Sequence, residues 1–177
     1  AKPFIVSVPG YEGDIGSLFT VNELFWQPYI VFNLLPSEIA SVTLKNLADP
    51  ASSFTIENKR KKYTFSDSES ILSGWDTTRI RRYISYFTLI PFESWALDIS
   101  DSEKIKIESG TPLFRIRVKK SDGHEIILTL WEKLKDDINS KDTDRLWAKT
   151  DERDDLFVIR YFDVDPILKK KSYFFVE

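Results

Sequence analysis

Apolar and polar side chains alternate along much of this chain, and that period of two predicts strands. The clearest case is Leu113 to Lys119. Leu113, Arg115, Arg117 and Lys119 fall on one side, and Phe114, Ile116 and Val118 on the other. Ser121-Asp122-Gly123-His124 then turns the chain into a second apolar run, Ile126 to Trp131. Asp-Gly between two such runs predicts a hairpin, because glycine accepts the positive φ of the tight turn. Phe54 to Glu57 and Tyr63 to Phe65 predict another hairpin around Asn58-Lys59-Arg60-Lys61-Lys62, whose charges suit an exposed tip. Phe4 to Val8 alternates up to Pro9-Gly10. Leu18 to Leu35, dense in aromatic and β-branched residues, predicts two strands separated near Gln27-Pro28. Ile39, Val42 and Leu44 lead a further strand into the turn Asn46 to Pro50. Lys104 to Glu108, Leu156 to Phe162 and Tyr173 to Val176 are shorter strand candidates. The acidic stretch Asp136 to Asp155 predicts irregular loops around Leu146 to Lys149.

One segment changes period. Ile80, Tyr83, Ile84 and Phe87 recur at i, i+3, i+4 and i+7, one face of a helix over about residues 77–90. Asp76 or Thr77 can cap it, and Pro91 ends it by removing a donor and crowding the preceding turn. The expected fold is a single α+β domain over 1–177, mainly antiparallel, with this one principal amphipathic helix. A strand followed by Pro36-Ser37-Glu38-Ile39, echoed by a strand followed by Pro166-Ile167-Leu168, suggests an internal strand–turn–strand repeat.

Composition narrows the chemistry. The 177 residues include no cysteine, no methionine and a single histidine. Disulfides, thiolate-bound zinc, iron–sulfur clusters and thiol nucleophiles are excluded, and so is a two-histidine metal motif. A Ser–His–Asp triad would have to run through His124, which the Asp-Gly turn places on a hairpin and which reads as incidental. With 25 basic and 28 acidic residues the net charge is -3, against the basic field of a dedicated nucleic-acid binder. The longest apolar runs, such as Tyr29 to Leu35, fall far short of the roughly 20 residues that span a bilayer. The chain opens Ala1-Lys2-Pro3, read as a processed or trimmed end.

Three sets of side chains offer candidate chemistry. The acidic groups Asp142/Asp144, Asp151/Glu152/Asp154/Asp155 and Asp163/Asp165 could hold a hard cation or, flanking a cleft, act as paired carboxylates. They lack the order of a calcium loop and read as solvated surface. The glycines of Pro9 to Gly16 lack the Gly-Lys-Ser/Thr end of a phosphate loop. Trp26, Tyr29, Trp75, Trp95, Trp131 and Trp147 could line a groove but suit core packing. The basic clusters Lys59-Arg60-Lys61-Lys62 and Arg79/Arg81/Arg82 form the candidate interaction surface, with Lys119/Lys120 and Lys169-Lys170-Lys171 as further patches. No residue is assigned as catalytic, cofactor-binding or metal-binding.

Several stretches together resemble an uncharacterised family, a domain of unknown function in bacterial cell-envelope proteins. They are Val8-Pro9-Gly10-Tyr11-Glu12-Gly13, Trp26 to Phe32, Pro36-Ser37-Glu38-Ile39-Ala40-Ser41-Val42, Ser53-Phe54-Thr55-Ile56, Arg82-Tyr83-Ile84-Ser85-Tyr86-Phe87 and Leu156 to Asp163. The resemblance implies a periplasmic or cell-surface protein of mixed α/β structure, lipid-anchored through residues outside this chain and cut from a longer precursor. It carries over no catalytic residues. The expected function is a non-enzymatic extracytoplasmic binding or assembly module, meeting an envelope protein or glycan through strand edges and exposed aromatics. No nucleic acid, cofactor or transmembrane segment within this chain is expected. The alternative is a hydrolase of glycans or phosphoesters using acidic residues, with or without a divalent cation.

Overall fold

A computed structural model describes residues 9–13, 15–18, 21–60, 62–135 and 140–175. The expected strand Phe4 to Val8, and Lys61 of the basic cluster, lie outside the described residues. The architecture is mostly antiparallel β-sheet with a few short helices. The strands in chain order are β1 (Ile30–Phe32), β2 (Ile39–Asn46), β3 (Phe54–Lys59), β4 (Lys62–Ser66), β5 (Ile71–Leu72), β6 (Ile90–Pro91), β7 (Ser94–Trp95), β8 (Phe114–Lys120), β9 (Glu125–Leu134), β10 (Lys141–Thr150) and β11 (Phe157–Arg160). Nine of them form one sheet in the order β5-β4-β3-β2-β8-β9-β10-β11-β7, while β1 and β6 pair separately. The order is two meanders, β2–β5 and β8–β11, joined where β2 lies against β8 with Val42 opposite Val118 and Leu44 opposite Ile116.

Alternation sets the two faces of this sheet. Val42, Leu44, Phe54, Ile56, Phe65, Ile116, Val118, Leu128 and Leu130 are buried on one face. Helix α1 (Thr77–Ser85) packs its apolar side there, with Ile80, Tyr83 and Ile84 buried. Asp76 caps α1 as expected: its carboxylate accepts from the Thr78 and Arg79 amides at 2.6 and 3.1 Å. Above β3 and β4 the rings of Phe54, Phe65, Tyr83 and Phe174 form one cluster, with centroids 4.8 to 5.6 Å apart. Buried Tyr83 donates its hydroxyl to the Ile167 carbonyl at 2.9 Å, and burial pushes its acidity far to the alkaline side. The opposite face of β2, β3 and β8 is polar, with the Thr43 and Thr55 hydroxyls 3.0 Å apart and Arg115, Arg117 and Lys119 exposed.

Several local expectations are corrected. The first of the two strands expected within Leu18 to Leu35 is instead a 3-10 turn, Glu23–Trp26, started by the Asn22 side chain, which accepts from the Leu24 amide. The α-helix stops at Ser85 and tightens into a 3-10 turn, Tyr86–Thr88, before β6. Pro91 does not directly follow the helix as expected but sits in β6, opposite Ile30. Lys104 to Glu108 is not a strand but part of helix α2 (Asp101–Ser109), as long as α1. Ser100 and Glu103 form a reciprocal capping box that satisfies two orphan amides. Asp136 to Asp155 contains the ten-residue strand β10, whose Leu146, Ala148 and Thr150 point into the core. The strand after Leu156 ends at Arg160, and helix α3 (Tyr161–Val164) follows. The C-terminal run is a 3-10 turn, Lys171–Phe174, with Phe175 bridging to Trp75. The two halves of the expected repeat differ in conformation, the first a turn into β2 and the second a 3-10 turn, Asp165–Ile167.

The C-terminal run is also tied down electrostatically. The Lys171 ammonium lies 2.9 Å from the Asp67 carboxylate, which also accepts from the Glu69 and Ser70 amides at 3.0 Å. The Lys171 hydrogen bond, followed by the two backbone amides, lowers the Asp67 pKa to about 2. A depressed folded-state pKa stabilises the fold above the unfolded value, near 3.9, and that contribution fades as pH falls toward about 2. Asp67→Asn is therefore expected to lower the urea midpoint at pH 6 and to flatten its decline between pH 4 and 2.5. Parallel acid profiles for the two proteins would refute this role.

Candidate functional site

A concavity of about 840 Å³ on the described surface is lined by Leu35, Pro36, Ser37, Asn58, Arg60, Tyr63, Arg81 and Ser121. Four elements build it. Leu35 to Ser37 belong to the turn before β2, Asn58 to Tyr63 to the β3–β4 hairpin, Arg81 to α1, and Ser121 to the turn after β8.

The hairpin places Arg60 by a tight connection. Lys59 pairs with Lys62, so the strands run further than the sequence suggests, and Arg60 adopts φ +53°. Arg60 is the one non-glycine residue in the left-handed region among those described. Arginine there lacks the freedom that makes glycine the usual occupant. The walls are cross-tied. The Ser121 amide donates to the Glu38 carbonyl at 2.7 Å, and the Ser121 hydroxyl to the Ser37 carbonyl at 3.3 Å. The Asn58 side-chain amide donates to the Ile39 carbonyl at 3.0 Å, and the Glu38 carboxylate accepts from the Leu35 amide at 2.7 Å. These bonds make a preformed groove.

The structure divides the expected interaction surface. Arg60 and Arg81, from separate basic clusters, both line the groove. Neither guanidinium has a carboxylate partner among the described residues. Arg82 is exposed on the same helix but does not line the groove. Lys59 pairs with Glu57 at 2.9 Å, and Lys62 is exposed at the start of β4. Arg79 turns the other way. Its Nη1 donates to the carbonyls of Tyr173 and Phe175 at 2.8 and 2.7 Å, and its guanidinium lies over the Tyr173 ring. Arg79 thus latches the C-terminal run onto α1 rather than facing a partner. Among the further basic patches, Lys120 pairs with Asp122, Lys169 with Asp165 and Lys171 with Asp67. Tyr63, Leu35, Ser37 and Ser121 escaped sequence reasoning, because only the strand register brings them together.

The acidic groups serve the fold. Asp142 accepts from the Asp144 and Arg145 amides, Asp151 from the Ile127 amide, and Asp163 and Asp165 pair with Arg160 and Lys169. Among the described residues, every carboxylate with a displaced pKa is displaced downward: Asp67, Asp76, Glu93, Glu103, Asp122 and Asp142. Hydrogen bonds from backbone amides, Arg145, Ser100 or Lys171 cause the largest share of each shift. Such groups are held ionised and none is poised as a general acid. Among the described residues, no cluster of three or more His, Asp and Glu could hold a metal ion. His124 lies on its hairpin as expected, with Nε2 2.7 Å from Glu152 Oε1.

Neither this groove nor the two concavities below is lined by more than one tryptophan. Trp75 and Trp131 donate to the carbonyls of Leu72 and Gly110, and Trp147 lies beneath the Lys133 ammonium. Trp95 is buried against Phe92 and Phe157. Its indole N–H has no acceptor among the described residues, and the ring walls a small cavity of about 60 Å³ beside Arg153 and Thr150. Another concavity, about 610 Å³, is lined by Leu89, Tyr161 and the exposed ring of Phe162, among others. The described ends of the large sheet are two-residue strands, β5 and β7, a poor template for strand addition.

No family model matches the chain, and neither a curated protein nor a solved structure does.

Proposed function

We propose that the chain is a non-enzymatic binding or assembly module of the bacterial cell envelope, and that it recognises its partner through the Arg60–Arg81 groove. One observation carries this reading: two arginines from different elements, a hairpin tip and a helix, line one concavity sized for a ligand, without carboxylate partners among the described residues. The extracytoplasmic location, with attachment through a lipid anchor outside this chain, rests on the family resemblance. No helix among the described residues is long and apolar enough to cross a membrane. The partner class is an envelope protein or glycan.

Affinity capture from envelope extract tests the reading. The immobilised chain is expected to retain a component that Arg60→Ala/Arg81→Ala, with an unchanged circular dichroism spectrum, does not. Retention of nothing above background, or equal retention by both proteins, would overturn it.

A further inference from the structure

Resting on that reading, we infer that the groove takes a phosphate group, free or carried on a sugar or lipid headgroup. Arg60 comes from a hairpin tip and Arg81 from a helix, so the two side chains line the groove from different elements. A carboxylate offers two oxygens in one plane, matched to one fork. A phosphate spreads its oxygens tetrahedrally and carries up to two negative charges, so it can accept from two forks that are not coplanar. With no carboxylate partner among the described residues, each arginine is free to form charge-assisted bonds to such a group. The rest of the lining suits what a phosphate is attached to. Ser37 and Ser121 bring hydroxyl groups, while Leu35, Pro36 and the half-buried Tyr63 ring supply apolar surface. The groove's 840 Å³ far exceeds the space of one phosphate and leaves room for a sugar ring or headgroup.

Arg82 supplies an internal control: same helix, same charge, exposed, and outside the groove lining. Titration of the isotope-labelled chain with inorganic phosphate at low ionic strength is expected to shift arginine side-chain and hairpin resonances at the groove. Arg60→Gln and Arg81→Gln should each weaken binding by about tenfold, the loss of one charge-assisted pair. Arg82→Gln should stay within about twofold. Acetate at equal concentration should bind far less tightly. Two further arms separate the sources: a sugar phosphate, and vesicles of neutral lipid with or without phosphatidic acid. Whichever outbinds inorganic phosphate names the carrier, and if neither does, free phosphate is the ligand.

Equal losses for Arg81→Gln and Arg82→Gln would reveal only a diffuse charge effect and overturn the inference. So would acetate matching phosphate, or an absence of groove shifts. Phosphate binding without retention from envelope extract would defeat the module reading alone. Arginine-dependent retention without a phosphate response would defeat this inference alone.

Discussion

Replacing Phe174 by alanine is expected to destabilise the fold by about 4 kcal/mol, the largest single effect anticipated for this molecule. The ring is fully buried among four others: Phe54 at 4.8 Å, Phe65 at 4.9 Å, and Tyr83 and Tyr173 each at 5.2 Å. It belongs to a 3-10 turn near the C-terminus, not to the sheet, so the cavity left behind would open between layers. Edge-to-face contacts with Phe54 and Tyr83 add to the area the ring removes from water. Domains are stable by only about 5–15 kcal/mol, so a loss of this size could unfold the chain outright. Phe174→Leu, which keeps most of the volume, should cost about 1.5 kcal/mol and supply the graded comparison. Urea unfolding with unchanged m-value is the measurement. A loss below about 1 kcal/mol for the alanine variant would mean that the C-terminal turn is not integral to the core.

The second large effect is expected at Arg79. Arg79→Met keeps the apolar stem and removes the donors that hold the carbonyls of Tyr173 and Phe175. Charge-assisted hydrogen bonds contribute about 1.5–3 kcal/mol each and share one guanidinium here, so a loss of about 3 kcal/mol is expected. Amide hydrogen exchange should accelerate first in residues 171–175, because their latch opens before the sheet does. The same variant separates two roles. If Arg79 belonged to the binding surface, ligand affinity would drop while stability and exchange stayed at native values.

Some of this organisation was legible in the chain and some was not, for physical reasons that differ by element. Asp76, followed by apolar positions at 3.6 spacing, is a local signal, and α1 starts where it says. Asp122-Gly123 likewise encodes its own turn, with Gly123 at φ +94°. Helix α2 misleads because Lys104-Ile105-Lys106-Ile107-Glu108 alternates like a strand. On a helix Ile105 and Ile107 point to nearly opposite sides, and none of its residues is buried, so no apolar face announces it. Its signal was the Ser100–Glu103 capping box, which involves no periodicity at all. In β10 the acidic Asp142 and Asp144 mask the alternation that begins at Leu146.

The groove is a harder case still. Arg60 and Arg81 stand out in the sequence as members of charge clusters, yet nothing local says that they meet. Their meeting depends on α1 packing above β3 and β4. Ser37 and Ser121 come together because Ile39 pairs with Lys120, a register set by matching hydrophobic faces far apart in the chain. Arg79 shows the converse: a cation two residues from Arg81, identical by composition, whose helical position turns it toward backbone carbonyls instead of the groove.

The seam between the two meanders bears on how the molecule assembles. Each meander is built from neighbouring segments and can form early, on short loops. The seam cannot: Leu44 and Ile116 are roughly 70 residues apart, and closing a loop of that length costs on the order of 4 kcal/mol in chain entropy before any contact repays it. Docking of β2 on β8 therefore carries an entropic cost that pairing within either meander does not. Until it happens, both meanders expose a bare inner edge of full-length strand, with β2 and β8 each unpaired on one side. The interval before closure, rather than the finished fold with its two-residue outer strands, is when chains of this protein are most apt to pair with one another.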